Sequence, residues 1–384
     1  MEAVAKRYNN SGESIYLIAL VCYLINTFLN HTMFENTHFV KIFLLSITAL
    51  CCLIKFFFID KHTKKELLLI SLAMLLIFIV TLKSENRQLL TLSTLVISAK
   101  NVNFKNVLFV YLVTILLLLF FTFLCSMADI IPNLQYTRVW GDEIKIRNSF
   151  GTIYPTVFAA YILYLLVAFS YFINTKNLLS NLMFIVFSAI GCFICLEYAD
   201  ARMSAYSILL YVFVFYFIIL FRKKNKIVFS LSIFIYPLFF LIIYYLSLYY
   251  NPSNGIMVSI NSALSGRLYL GNMALNDYPL TLFGQNIEFI GLGGAVQDMG
   301  TDYNYVDSSY LQFYGALFSI LSILVMMKIT YERIKLYDYK FMAIIFMISL
   351  SSMIEDRMLD MSINIYWVLL LSYYYNHTNL QGKI

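Results

Sequence analysis

Charge is what this chain has least of. Asp, Glu, Lys and Arg make up only 12% of its 384 residues, and 61% are apolar. A soluble domain carries roughly 25% charge and 45–50% apolar residues. So little polar surface cannot face water on every side, which excludes a soluble globular enzyme and requires lipid as the main solvent. In lipid every backbone amide must be satisfied internally, and the apolar runs are too long for strands, so helices are expected. Histidine is scarce: His31, His38, His62 and His377 are all there are. None lies near the arginine-bearing segments in sequence, which argues against a histidine base. Basic blocks interleaved with aromatics are missing, so no nucleic-acid partner is expected. There is no P-loop, no DxD-type pair in a cytoplasmic domain and no HExxH. Asp298 and Asp302, four apart in a polar loop, are a weak case for a metal, and neither metal nor other cofactor is expected.

The six cysteines, Cys22, Cys51, Cys52, Cys125, Cys192 and Cys195, all fall within or at the ends of apolar runs. Cys192 and Cys195 form a C-x-x-C, but with no histidine close by this reads as small residues at helical spacing in a span. The first apolar run begins at Ile15 after Lys6 and Arg7. Asn26, Asn30 and His31 follow it instead of a small-residue cleavage site, so it reads as a membrane helix that is retained.

Windows of ~20 apolar residues give about twelve spans in one membrane domain covering 1–384. They lie near 14–30, 38–59, 66–82, 87–99, 106–127, 150–173, 178–198, 203–221, 227–250, 308–330, 339–355 and 360–375. The fourth and the last two are short for a ~30 Å hydrocarbon core. Even-numbered connections carry KHTKK (61–65), KNVNFK (100–105), NTKN (174–177), RKKNK (222–226) and YERIKLYDYK (331–340). The odd ones carry most of the acids. The alternation predicts both termini in the cytoplasm.

Two external segments are long, 128–150 and 251–307. The second is too long for a turn and keeps Tyr269, Leu270, Tyr278, Phe283 and Phe289, so it reads as folded, with short helices over the membrane face. No internal repeat is visible, which argues against an inverted-repeat transporter.

Ionisable groups near spans are costly and therefore functional candidates. Arg147, Arg202, Arg267 and Arg357 stand on the external side, where charge bias should have removed them. A guanidinium is a planar fork of five donors that keeps its charge, which suits a diphosphate. Taken singly, each also reads as a solvated or snorkelling arginine. Asp307 reads either as a helix N-cap or as a carboxylate that orients or deprotonates a sugar hydroxyl, with Tyr310 about a turn further along. Glu355, Asp356, Arg357 and Asp360, with Asn364 following, read either as a salt-bridged turn or as part of an acceptor site. Glu197 and Asp200 are close enough to pair with Arg202.

Several of these segments together resemble the Wzy-type polysaccharide polymerases, in the larger group that includes the O-antigen ligases. They are AKNVNFKNVL (99–108), RNSFGTIYPT (147–156), ADARMSAY (199–206), SGRLYLGNMAL (265–275) with DYPLTLFGQ (277–285), VDSSYLQFYGALFSI (306–320), and SSMIEDRM with Asn364. The likeness runs from about 85 to 375 and rests on the order and loop placement of the segments. Tyr154 and Thr156 stand where members often carry histidine and asparagine, and Asp307 stands in the region of the ligases' histidine, which favours polymerase over ligase.

The resemblance implies an all-α, GT-C-like helix bundle in the bacterial cytoplasmic membrane. It implies metal-independent glycosyl transfer at the outer face, joining oligosaccharide repeat units carried on undecaprenyl pyrophosphate as both donor and acceptor. A flippase and a chain-length regulator would be the protein partners. On that reading Arg147, Arg202 and Arg267 hold the donor diphosphate and Asp307 handles the acceptor, with Tyr154, Tyr310, Glu355 and Asn364 lining the substrate. The alternatives are a ligase-like glycan transferase and a flippase or transporter for the same lipid-linked sugar.

Overall fold

The computed structural model describes residues 2–140, 143–221, 230–291, 293, 303–312 and 314–373, and these are mostly helical. The first five helices are α1 (Glu2–Leu29), α2 (His38–Ile54), α3 (Lys64–Ser84), α4 (Gln88–Ser98) and α5 (Phe104–Met127). One π-turn, Lys55–Ile59, extends α2. Local chemistry sets where they start. Thr37 caps α2 and Asn103 caps α5. A capping box opens α3: Glu66 N–H donates to the Thr63 hydroxyl, and Thr63 N–H to the Glu66 carboxylate.

Segment 128–150, expected only as an external loop, holds a two-stranded antiparallel ribbon, β1 (Gln135–Trp140) and β2 (Glu143–Asn148), with Tyr136 opposite Arg147. The alternation of EIKIRN fits it: Ile144 and Ile146 point out while Arg147 is buried. Next come α6 (Pro155–Phe172), α7 (Leu178–Glu197) and α8 (Arg202–Phe221). Pro155 sits at the first position of α6, where no intrahelical donor is lost. The fold continues with α9 (Ile235–Leu248), α10 (Gly255–Ala263), α11 (Arg267–Asp277), α12 (Ala316–Lys335) and α13 (Tyr339–Ile354). The short helices expected in the large loop are α10 and α11.

Seven helices among the described residues are long and apolar enough to cross a bilayer: α1 from Ser11, α2 with its π-turn, α3, α5, α6, α7 and α8. That set fits a multi-pass membrane protein. Gln88–Ser98, Ser232–Leu248 and Tyr339–Ile354 are shorter apolar helices. The basic block at 222–226, Asp142, Asp298, Asp302 and His377 lie outside the described residues.

Burial orders the bundle. In α6, 78% of the span is buried, against 17% in α2 and α3. α6 is therefore central, packed on α5, α7, α8 and α13. α2 and α3 turn Phe39, Phe58 and Leu69 outward, an exposure that lipid solvates.

Two expected spans differ. The helix expected from 308 begins only at Ala316, after a 3-10 turn at Ser309–Leu311. The stretch expected as a last helix, 360–375, is a 3-10 run at Ile365–Leu370 between irregular turns. It packs on α4, α5 and α12 and is buried throughout Ile363–Leu369. Asn364 caps it, and its end joins the α4–α5 turn: Tyr373 N–H donates to Val102 O and Phe104 N–H to Tyr373 O, both at 2.9 Å. Because a 3-10 run rises ~2.0 Å per residue against ~1.5 Å for an α-helix, a short segment covers more depth. Non-helical backbone is tolerated at membrane depth where protein encloses it.

A strap at 280–284 crosses the start of α12. Ala316 N–H donates to Thr281 O (2.9 Å) and Leu317 N–H to Leu282 O (3.1 Å), satisfying two of the helix's free donors. Gly315, with φ 93° and ψ 155°, makes the crossing possible. A Cβ there would lie 2.2 Å from Gly284 N and 2.6 Å from Phe283 C. This region of φ/ψ is essentially reserved for glycine. Gly315→Ala is therefore expected to cost more than ~2 kcal/mol, read as a lowered Tm of the detergent-solubilised protein. An unchanged Tm would show that the strap can lift away.

Candidate functional site

At one end of the bundle the ribbon, the α7–α8 turn, the large loop and the turn after α13 converge. The turn after α13 organises them. Ser309 donates both its N–H (3.1 Å) and its hydroxyl (2.5 Å) to Glu355 O, and Met358 N–H donates back to Ser309 Oγ (3.1 Å). This docks the end of the large loop, and with it Asp307, onto residues 355–358. Asp307 caps no helix. Its carboxylate meets Arg267 Nη2 at 3.1 Å.

Arg267 opens α11. The N–H groups of Leu268 and Tyr269 donate to Asn261 Oδ1, which fixes that helix end. Each guanidinium nitrogen is engaged: Nε donates to Ile354 O (2.5 Å), Nη1 to Leu264 O (3.1 Å), and Nη2 pairs with Asp307. It clamps the end of α13 to the loop. Burial raises the Asp307 pKa above the usual carboxylate range; Arg267 opposes this and Asp356 adds to it.

Arg147 differs. It is buried beneath the ribbon, Nε donating to Ala199 O (3.3 Å) and Nη1 to Tyr154 Oη (3.2 Å), with the Tyr154 ring 5.2 Å from its Cζ. Its Nη2 is buried and has no hydrogen-bond partner. A charged donor in that state favours an anion strongly. Arg202 pairs with Asp200 Oδ1 and Arg138 with Asp200 Oδ2, both at 2.9 Å. Of the two acids near Arg202 in sequence, Asp200 therefore forms an ion pair with it. Tyr303 is close enough to Asp307, Tyr154 and Arg267 to interact electrostatically with each. Burial, then Asp307 and Tyr154, raise its phenol pKa, and Arg267 lowers it.

Arg357 pairs with Asp356 at 3.1 Å, and Asp356 also accepts from Tyr305 Oη. Glu355 accepts from Ser204 Oγ at 3.0 Å, while its Oε2 is buried without a partner. Burial raises the Glu355 pKa; Arg357, Ser204 and Arg267 pull it back.

Distance along the chain misplaces one histidine. His31, far from every arginine in sequence, sits in this site. Its Nε2 is 3.3 Å from Asp360 Oδ2 and its Nδ1 2.9 Å from Tyr161 Oη. Tyr161 Oη meets Ser362 Oγ at 2.9 Å, and Ser362 Oγ donates to Asp360 Oδ1 at 2.6 Å, closing a ring. Burial lowers the imidazole pKa, with Asp360 opposing. If the ring is neutral with Nε2–H turned to Asp360, Nδ1 accepts from Tyr161 only by leaving the Tyr161–Ser362 contact without a proton, because the Ser362 hydroxyl proton is directed to Asp360. Both nitrogens face partners, so His31 holds the turn.

Among the described residues, no His, Cys, Asp and Glu cluster could hold a metal ion. Comparison with family models, with curated proteins and with solved structures finds no match. The site is therefore read from its own chemistry.

Of the residues picked from sequence, Arg147, Tyr154, Arg202, Arg267, Asp307 and Glu355 come together here. Tyr310 and Asn364 do not present their polar groups to it. Tyr310 packs on Tyr236 and Phe240, its hydroxyl donating to Ser349 O. Asn364 is fully buried, bonding Met358 O and capping the 3-10 run. His31, Tyr303 and Tyr305 were missed. Only the cost of placing a histidine at the end of a span could have flagged the first.

Glu355 gives a test of the electrostatics. A carboxyl whose folded pKa is raised contributes stability that is fully present below its unfolded value, about 4.3, and is lost as pH rises through the folded value. Glu355→Gln is therefore expected to raise Tm at pH 7.5, with the difference vanishing near pH 4. A variant less stable at pH 7.5 would mean that the ionised carboxylate is the favoured form.

Proposed function

We propose that the protein is a Wzy-type polymerase. It would join undecaprenyl-pyrophosphate-linked oligosaccharide repeat units at the outer face of a bacterial cytoplasmic membrane, with both termini in the cytoplasm and without a metal. The observation that carries this reading is a buried guanidinium lacking one partner at the same end of the bundle as a partly buried carboxylate. Arg147 Nη2 is the free donor, and Asp307, beside Arg267, is the carboxylate.

In the proposed reaction the acceptor hydroxyl oxygen attacks the anomeric carbon of the donor glycan. The bond from that carbon to the pyrophosphate oxygen breaks, and the lipid pyrophosphate leaves with the electron pair. Asp307 takes the hydroxyl proton. Arg147, with Arg202 at the rim, offsets charge growing on the leaving diphosphate in the place a metal would otherwise fill. Arg267 keeps Asp307 ionised and in place. Tyr154 orients Arg147 by stacking and hydrogen bonding, so the planar fork matters as well as the charge.

A ligase-like transferase is the alternative that the same resemblance carries. It would use the same donor pocket, and the accumulated product separates the two. Gel analysis of surface polysaccharide should show single lipid-linked repeats and no long chains in a deletion strain, with the same pattern for Arg267→Ala and for Arg147→Lys. Long chains that persist unattached in the deletion would favour the ligase, and full-length polymer in both variants would remove the arginines from the site. Since Asp307 must be ionised to act, and its pKa is raised, transfer in vesicles should decline on acidification already above the ordinary aspartate range of about 3.9. Flat activity down to pH 4 would exclude Asp307 as the base.

A further inference from the structure

The opposite end of the bundle carries a second polar feature that glycosyl transfer does not use. The α2 span, 22 residues with its π-turn, separates it from the His31 end. There α2 packs on α1 and α4, while α3 packs on α4 and α12, leaving a wedge between α2 and α3. The wedge is a cleft of about 640 Å³, walled by Phe56, Phe57, Leu67, Ser71 and Ile97, with Lys64 at its rim.

The charges at this rim are unevenly used. Asp60 pairs with Lys55 at 2.6 Å and Glu66 with Lys100 at 2.8 Å. Lys61, Lys64 and Lys65 are exposed, and none has a carboxylate at ion-pairing distance among the described residues. Beside them the His62 ring lies 4.4 Å from that of Phe56, with both nitrogens shielded from solvent and no hydrogen-bond partner. An apolar cleft open to the bilayer, with Lys64 at its rim and the exposed Lys61 and Lys65 adjacent to it in sequence, complements a molecule with long apolar chains and an anionic polar end.

We propose that this cleft binds one anionic phospholipid, its acyl chains between α2 and α3 and its phosphate held by Lys61, Lys64 and Lys65, within reach of His62. The three lysines supply charge selectivity, and the Phe56–Phe57 wall supplies the requirement for a tail. A free phosphate satisfies only the first demand and a zwitterionic lipid only the second.

The test uses the full chain purified in detergent and titrated with dioleoylphosphatidylglycerol, dioleoylphosphatidylcholine or inorganic phosphate, reading Tm and, by native mass spectrometry, bound lipid. Phosphatidylglycerol is expected to raise Tm and be retained as one molecule. The exposed triple variant K61Q/K64Q/K65Q should weaken this roughly a hundredfold, at about 1 kcal/mol per lysine. Ser71→Trp, which fills the cleft, should abolish retention while leaving the lipid-free Tm of the protein near that of the parent. Equal effects of phosphatidylcholine, equal effects of phosphate, or unchanged retention by the triple variant would each overturn the proposal.

Discussion

The structure depends on one constraint: at membrane depth a carbonyl or amide left without a partner has no water to turn to. Helices meet it alone, but the segment after α13 meets it only because protein surrounds it. Met358 O receives Asn364 Nδ2 at 3.0 Å and Trp367 Nε1 at 2.7 Å, and Ile363 O receives Tyr111 Oη at 2.7 Å. Side chains thus do what an α-helix's own backbone would do. The helices around it, α4, α5 and α12, make that environment dry enough for the bonds to hold and close enough to supply them. In return the irregular path leaves its turn at 355–362 free to display Asp356, Arg357, Asp360 and Ser362 in directions that a straight helix would not allow.

The same constraint explains what could be read in the sequence. The long spans were plain, because a run of apolar residues between charged turns has few other outcomes. The short fourth span was flagged by length and is indeed the 11-residue α4. The last span reads as a helix in the sequence because hydropathy reports burial and not backbone form. Ile365–Leu370 is apolar whether it coils as an α-helix or as a 3-10 run. The ribbon was missed for the opposite reason. Its alternation, with Ile144 and Ile146 on one face and Arg147 on the other, is short and sits in a segment already set aside as loop.

The site was half legible. Arginines in segments that the charge alternation assigns to the outer side are conspicuous in sequence, and Arg147 and Arg267 stand out on that ground. Their unequal states were not visible. Arg267 is consumed by two carbonyls and Asp307, whereas Arg147 retains a free donor, and only the folded arrangement tells them apart. Asp307 looked like a helix cap because the next apolar run seemed to start beside it. The strap over Gly315 delays that helix to Ala316 and releases the carboxylate for Arg267. His31 lies far from every arginine along the chain, a measure that says little once the helices have packed.

The ring of His31, Tyr161, Ser362 and Asp360 has a temporal consequence. Its members are separated by 130 and 201 positions along the chain. A chain made from its N-terminus inserts α1 early and α6 midway, so that His31 and Tyr161 can meet first, while His31 Nε2 lacks its Asp360 partner until the last turn has left the ribosome. The closing bonds form only when the last segment threads between helices already in place. Assembly is therefore ordered so that the charged turn, the costliest part to expose to lipid, arrives after its receptacle is built. The ring closes in this late step, whereas the ion pairs of Asp200 with Arg138 and Arg202 need no residue of the last turn.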